Sequence, residues 1–362
     1  MANDAQPAQG MVTLDRINTP PAQTWNYLRA NDITLTVPAT SRKGDVYFAL
    51  PRLFEGVACG LGQKATDWIV SQATDAQYVE VRPGERRAEP ILATADTGVM
   101  VRAGAEATVV VCATPSEEAT TGTLVRIVAE RNARVHLLEF VAGTGRHLES
   151  VGIRAAEDAR VDVRQFLLGA GTTALGFACD LEGARARVDL ACRYLGRDGD
   201  VLDINHVVRQ RGVRTRADVR ESGVLDGAAK KSLRATIDLV HGARGAEGAE
   251  LESVLVLSDD VTNKTVPTIL CDEDDVAGNH GATIGSIARE QVQYLRDRGL
   301  TQEEAEGLFV RAMFDEALIA APTDEVRTAV LARAREVLGA EVAGDLVEAL
   351  ELGGGATVSG EE

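Results

Sequence analysis

A lone histidine sits among small residues in the run Gly278-Asn279-His280-Gly281-Ala282. Both its backbone and its imidazole can be approached closely there, which makes His280 the foremost candidate functional side chain. Four acids precede it, Asp272-Glu273-Asp274-Asp275. Such oxygens suit a hard cation, but the spacing of a calcium-binding loop is absent, so a solvated corner is the plainer reading. The cysteines are Cys59, Cys112, Cys179, Cys192 and Cys271. Their number is odd and they form no C-x-x-C pair, which excludes a disulfide framework and a zinc ribbon. Thiolates suit iron, yet Cys271 alternates with Ile269 and is expected to face the apolar side, where a thiol stays protonated and inert. The other histidines, His136, His147, His206 and His241, are read as surface or satisfied core residues.

Other chemistries lack their signatures. There is no G-x-x-x-x-G-K-[ST], so this chain is not expected to bind a nucleotide. Gly242-Ala243-Arg244-Gly245-Ala246-Glu247-Gly248 is glycine-rich but opens no helix, and is read as a loop. Neither G-x-S-x-G nor H-E-x-x-H occurs. A net charge of −17 argues against nucleic-acid and anionic-membrane partners, because phosphate would be repelled over most of the surface. No run of about 18 apolar residues would span a bilayer. The N-terminus has neither a basic start nor an apolar core, so no signal peptide is expected and a reducing cytoplasm is the simplest setting. Aromatic residues are only 4% of the chain, so the core must be made of Val, Leu, Ile and Ala.

The elements that would position His280 follow from a repeat. Ala107-Thr108-Val109-Val110-Val111, Ala133-Arg134-Val135-His136-Leu137, Ala159-Arg160-Val161-Asp162-Val163 and Ala186-Arg187-Val188-Asp189-Leu190 align, with first residues 26, 26 and 27 apart. A second strand repeats through Ile127, Ile153 and Cys179, again 26 apart. Strands with a fixed period in the twenties and no helical stretch indicate a solenoid, in which one coil cannot bury its apolar side alone and stacked coils can. Val135, Val161 and Val188 would then stack, as would Leu137, Val163 and Leu190. The rival is an antiparallel sandwich, whose hairpins also give evenly spaced short strands.

Residues 1–94 read as an N-terminal region with a polar, mobile start, strands within 33–50 and a short helix at Asp67–Gln72. Residues 95–285 read as the solenoid, 286–352 as a helical domain and 353–362 as a disordered acidic tail. Ser286 is expected to cap a first helix that ends at Gly299. Thr301-Gln302-Glu303-Glu304 is a capping box, Thr323 opens a third helix, and a fourth runs from about Ala340 to Leu350.

Four stretches together carry a family resemblance: GVLDG (223–227), VLVLSDDVTNKTVP (254–267), DDVAGNHGATIG (274–285) and QVQYLRDRGLTQEEAEGLFVRAMF (291–314). In this series the chain resembles the SufB/SufD family of iron–sulfur cluster assembly proteins, and TWNYLRANDI (24–33) resembles the N-terminal segment of its compact members. The resemblance implies a mainly β fold, a right-handed parallel β-helix followed by an α-helical domain. It implies a non-catalytic scaffold that pairs through the β-helix with a SufB-like chain or a second copy of itself. It also implies docking of a SufC-like ABC ATPase on the helical region, around Tyr294, Leu295, Leu308, Phe309, Met313 and Phe314.

A transient iron–sulfur cluster would form at a subunit interface. His280 matches the histidine of the SufD-type H-G-A-T-[VI]-G motif and is the expected cluster-site residue, with Cys271 the nearest thiol in sequence. The SufB-type cysteine would fall at Val261, the SufB-type glutamate at Gly281, and a cysteine found in many SufD members at Gly278. The chain is therefore SufD-like and brings half a site. A polysaccharide-acting β-helix enzyme is the other class, but it would need sugar-stacking aromatics that are scarce here.

Overall fold

The structure is a computed structural model, and it describes residues 10–40, 47–169, 171–286 and 289–354. Two parallel sheets of eight strands each run the length of the molecule. Strands are numbered in chain order after an N-terminal antiparallel pair, β1 (Met11–Ile17) and β2 (Ile33–Pro38), and a helix, α1 (Gln63–Gln72). The odd sheet contains β3 (Gln77–Val81), β5 (Asp96–Val101), β7 (Thr120–Ala129), β9 (Arg146–Ala155), β11 (Thr172–Leu181), β13 (Val201–Gln210), β15 (Lys230–Leu239) and β17 (Thr262–Cys271). The even sheet contains β4 (Ile91–Leu92), β6 (Glu106–Ala113), β8 (Arg134–Val141), β10 (Arg160–Leu168), β12 (Arg187–Gly196), β14 (Arg216–Leu225), β16 (Ala246–Val256) and β18 (Val276–Gly285).

Each coil adds one strand to each sheet, so this is a parallel β-solenoid and the sandwich alternative is excluded. The expected rows exist: Val135, Val161 and Val188 are register partners, as are Leu137, Val163 and Leu190, and Ile127, Ile153 and Cys179. All are buried. Burying each such side chain contributes roughly 1.5–3 kcal/mol, so the row rather than any single residue holds the coil.

The first copy of the repeat is displaced by two residues from the sequence alignment. Ala107 pairs with Val135, not with Ala133. The cause is the connection 114–119 between β6 and β7, which is two residues longer than 142–145 between β8 and β9. A shift of two leaves every side chain on its original face, which is why the alternation still read correctly. The coils also begin before residue 95, because β3 and β4 already belong to the two sheets.

Each sheet is covered on its outer face. The odd sheet carries the N-terminal region: Leu14, Ile17, Val37, Leu61, Trp68 and Ile69 pack on Leu124, Leu148 and Ala174. The expectation of a mobile start fails for 11–17, since MVTLDRI pairs with β2 in a strand, while residues 1–9 lie outside the described residues. A buried ion pair ties this layer down. Arg234 donates to both carboxylate oxygens of Asp203 at 2.9 and 2.8 Å, and its Nε donates to the Ala30 carbonyl. Asn18 Nδ2 reaches the same carboxylate at 2.8 Å. Such bidentate geometry is what makes a buried pair tolerable.

The even sheet carries the C-terminal helices α3 (Gln302–Ala320), α4 (Asp324–Leu338) and α5 (Ala340–Gly354), and α2 (Arg289–Arg296) packs on α3. Phe140 and Phe166, stacked with ring centroids 5.2 Å apart, form the floor on which Phe314, Leu318, Val326 and Val330 rest. The capping box at Thr301 and Glu304 is formed, and Thr323 caps α4 through the Val326 amide. Gly299 adopts φ +91°, a value that favours glycine, and ends α2. The fourth helix extends to Gly354, beyond the expected end at Leu350. The rest of the expected tail, 355–362, lies outside the described residues, as do 287 and 288 at the expected start of α2.

Candidate functional site

The site is built on the last coil. β17 and β18 are the terminal strands of their sheets, each bonded to one neighbour only. His280 is the register partner of Glu250, in the row Ile91, Val109, Leu137, Val163, Leu190, Val219, Glu250. It therefore occupies an inward-facing position. Among the described residues no further coil stacks on it, and the imidazole is exposed.

Cys271 shows the same geometry in the other sheet. It partners Leu239, which is buried, so the parity expected from Ile269 is right. The expectation of a buried thiol is nevertheless wrong. Cys271 is exposed because no coil covers it among the described residues, and its Sγ donates to the Glu273 carbonyl at 3.3 Å. The other thiols lie deeper: Cys179 and Cys192 are buried and burial raises both, and half-buried Cys59 is pushed up to about 12 by desolvation.

The other positions fall around this coil. Gly278 is in the inward row two residues before His280, partnering Gly248, and a Cβ there would lie 3.3 Å from Ile269 and Leu239 side-chain atoms. Gly281 faces outward over Leu251. Val261 packs at the margin of the core just before β17. Ile284, again inward, is 55% exposed. Among the described residues no three His, Cys, Asp or Glu side chains converge to hold a metal ion. His280 and Cys271 thus share an open end without forming a ligand set within one chain. Of the acidic run, Glu273 accepts backbone N–H bonds, chiefly from Gly242, that hold its carboxyl below the ordinary range, which fits a structural corner.

Directly beneath the open coil lies a polar cluster that the sequence reading missed. Glu252 accepts from Tyr194 Oη at 2.6 Å, from Lys231 Nζ at 2.6 Å and from Thr265 Oγ1 at 2.6 Å. Lys231 is fully buried, and burial lowers its pKa despite the adjacent carboxylate. Tyr194 reaches across a rung because Gly223 lies beneath its ring; a Cβ at Gly223 would sit 1.9 Å from the ring. Glu250 is buried with neither carboxylate oxygen hydrogen-bonded, and burial together with Glu221 and Glu252 pushes it up to about 8. The sequence did hold the signal: Glu250 and Glu252 sit at inward parity, alternating with Gly248 and Val254 of the same strand.

The helical docking set divides in two. Tyr294, Leu308 and Phe309 are exposed at 55%, 43% and 44%, and Leu295 is half-buried. The Arg298 guanidinium lies 3.7 Å from the Tyr294 ring centroid. Met313 and Phe314 leave the set, because both are buried against the even sheet and hold the helices to the solenoid. A cleft of ≈ 380 Å³ separates α3 from the last coil, with Phe309 on one wall and Thr283 and Gly285 on the other.

Residues 86–313 match the family model described as SUF system FeS cluster assembly, SufBD core domain. The iron–sulfur cluster assembly protein SufD of Escherichia coli is 24% identical over 282 residues, covering 73% of this chain and 67% of that protein. SufD of Bacillus subtilis is 25% identical over 169 residues, covering 47% of this chain and 39% of its own length. A SufBD family protein of Mycobacterium bovis is 26% identical over 189 residues, covering 50% and 48%. The matched stretches thus span between 39% and 67% of these relatives.

Proposed function

The chain belongs to the SufB/SufD family of iron–sulfur cluster assembly proteins, and from that premise we propose that it is a non-catalytic scaffold subunit of such an assembly complex. The observation that carries the reading is the uncovered last coil. It presents two strands of ten residues with free backbone donors and acceptors, an exposed apolar Ile284, and His280. Edge strands of this kind are templates for pairing with another chain. The partner is a SufB-like chain, which would bring the thiol that Val261 and Gly278 do not supply. A second copy of this chain is the alternative, and the exposed Cys271 at the same end favours it, since a pair of copies would then hold two thiols and two imidazoles.

The nascent iron–sulfur cluster is cargo held transiently at this interface, with His280 as a ligand from this side and Cys271 a second candidate. A SufC-like ABC ATPase docks on the exposed helical residues Tyr294, Leu295, Leu308 and Phe309, and this chain itself binds no nucleotide. Among the described residues no helix is long and apolar enough to cross a membrane.

The test is anaerobic reconstitution of the purified complex, with iron and sulfide quantified per chain. His280→Ala is expected to lower cluster content while the ATPase stays bound. Unchanged content would remove His280 from the mechanism. Deletion of 286–352 is expected to abolish ATPase binding, and retained binding by the folded solenoid would refute the docking assignment.

A further inference from the structure

The interior of the solenoid is not wholly apolar. Inward-facing polar side chains from successive coils join end to end. Thr121 Oγ1 lies 2.9 Å from His147 Nδ1, and His147 Nε2 lies 2.9 Å from Glu149 Oε2. Gln165 Nε2 donates to Glu139 Oε2 at 2.9 Å, and Gln165 Oε1 lies 2.9 Å from His206 Nε2. His206 Nδ1 lies 2.9 Å from Glu221 Oε1. The remaining link is between Glu149 and Glu139. Each has its Oε1 buried without a donor, and the two carboxyls interact directly. One proton shared between them closes the file, as for any two carboxylates that cannot both ionise side by side.

Protonation in this file follows from hydrogen-bond logic. Burial lowers both His147 and His206 to about 4, so each is neutral at pH 7 with one donor and one acceptor nitrogen. In the arrangement above, the Gln165 carbonyl accepts from His206 Nε2–H. His206 Nδ1 is then bare, and Glu221 must carry the proton that joins them. Burial, with Glu252 nearby, holds the Glu221 carboxyl well above the ordinary range. The opposite polarity also pairs every donor in the file with an acceptor, and it leaves Oε2 of the ionised Glu221 as the one carboxylate oxygen of that residue without a donor. With the Gln165 amide turned over, Glu139 Oε2–H donates to its carbonyl, its NH₂ donates to His206 Nε2, and His206 Nδ1–H donates to ionised Glu221.

We propose that this file is a proton relay along the solenoid core, whose two hydrogen-bond polarities place one proton either on Glu221 or on the Glu139–Glu149 pair. The exchange balances internally. Glu221 loses its Oε1 proton, His206 moves its proton from Nε2 to Nδ1, Glu139 gains a proton on Oε2, and one negative charge moves from the pair to Glu221.

Charged and titratable groups bear on the two ends. Glu221 faces Glu252, Glu250, Lys231 and Cys192, and Glu139 faces Glu149, His206 and Cys192. Glu221 and Glu252 are register partners, about 4.8 Å apart along the sheet, so the relay ends one rung below the Lys231–Glu252–Thr265 cluster and the open coil. Its other end, Thr121, is half-buried near the opposite end. The relay does not depend on the cluster assignment and would operate in the isolated chain.

The test is NMR of the full-length chain labelled with ¹⁵N-histidine, with His206 assigned by His206→Phe. Ring-nitrogen shifts distinguish the two neutral tautomers. The relay predicts that His206 at pH 7 shows shifts intermediate between the protonated and bare values at both nitrogens. In Gln165→Leu, where the turning amide is gone, the mixture is expected to collapse to a single tautomer. A single tautomer in the unaltered protein overturns the proposal, and that reading needs no variant to fold. An unchanged mixture in Gln165→Leu overturns it as well.

Discussion

The two ends of the solenoid are finished differently. At the N-terminal end the first strands are short, five residues in β3 and two in β4, and the turn between them carries Arg82, Glu85, Arg86, Arg87 and Glu89. Short, charged edges are how sheets avoid pairing with other chains. At the C-terminal end both strands are ten residues long, and β18, VAGNHGATIG, contains no Asp, Glu, Lys or Arg. One end is blunted, and on the reading proposed above the other is open to pairing. Position along the row therefore decides whether an inward-facing side chain is covered: Ile91 is buried and His280 is exposed.

The sharpest way to break this comparison is to mutate one row at its two ends. Ile91 begins the row that His280 ends, and it is buried. Ile91→Ala is expected to cost about 2–5 kcal/mol in denaturant unfolding. His280→Ala should stay within about 0.5 kcal/mol of the unaltered protein, as exposed positions generally do. Equal losses would mean that the last coil is as buried as the first.

A comparable contrast holds on α3. Phe314→Ala should destabilise by about 3–5 kcal/mol and loosen the helices from the even sheet. Leu308→Ala and Phe309→Ala should leave the melting temperature alone but weaken ATPase binding by about tenfold, roughly 1.4 kcal/mol. If Phe309→Ala melts early and binds normally, the exposed set is structural.

A smaller effect concerns pH. Glu250 has its folded pKa raised to about 8, against an ordinary value of 4.5. Between those values the folded state holds the proton that the unfolded state has released, so this group's contribution to stability falls as pH rises from 4.5 to about 8. Glu250→Gln removes that loss. Its stability relative to the unaltered protein should rise from pH 5 to pH 8, by about 1–3 kcal/mol at the upper end. His147 and His206 act in the opposite sense. With folded values of about 4, their contribution falls as pH drops from 6.5 through 4.

Much of this architecture was legible in the sequence because a solenoid repeats its own register. Val135, Val161 and Val188 announce one row, and Ile127, Ile153 and Cys179 another. The capping box at Thr301 is a purely local signal and was equally plain. What failed was whatever depends on neighbours that alternation cannot see. Cys271 has core parity but no covering coil. Met313 and Phe314 lie on an amphipathic helix whose buried side is set by Phe140 and Phe166, far away in sequence. Lys231 and Glu252 look like solvated charges until the two sheets face each other and the side chains meet across the interior, with Tyr194 on the same carboxylate. His280 was readable as a candidate because small residues surround it, and its place on the open coil explains why a histidine can stand in a core row.

The central claim is that the last coil is a pairing surface. Ile284→Lys tests it most directly, because it puts a charge on that edge at a side chain that is already exposed. Native mass spectrometry of the complex, with circular dichroism of the same sample, reads pairing and folding together. The account predicts a folded chain whose pairing is weakened at least about tenfold. An intact pair at the same concentrations would contradict it.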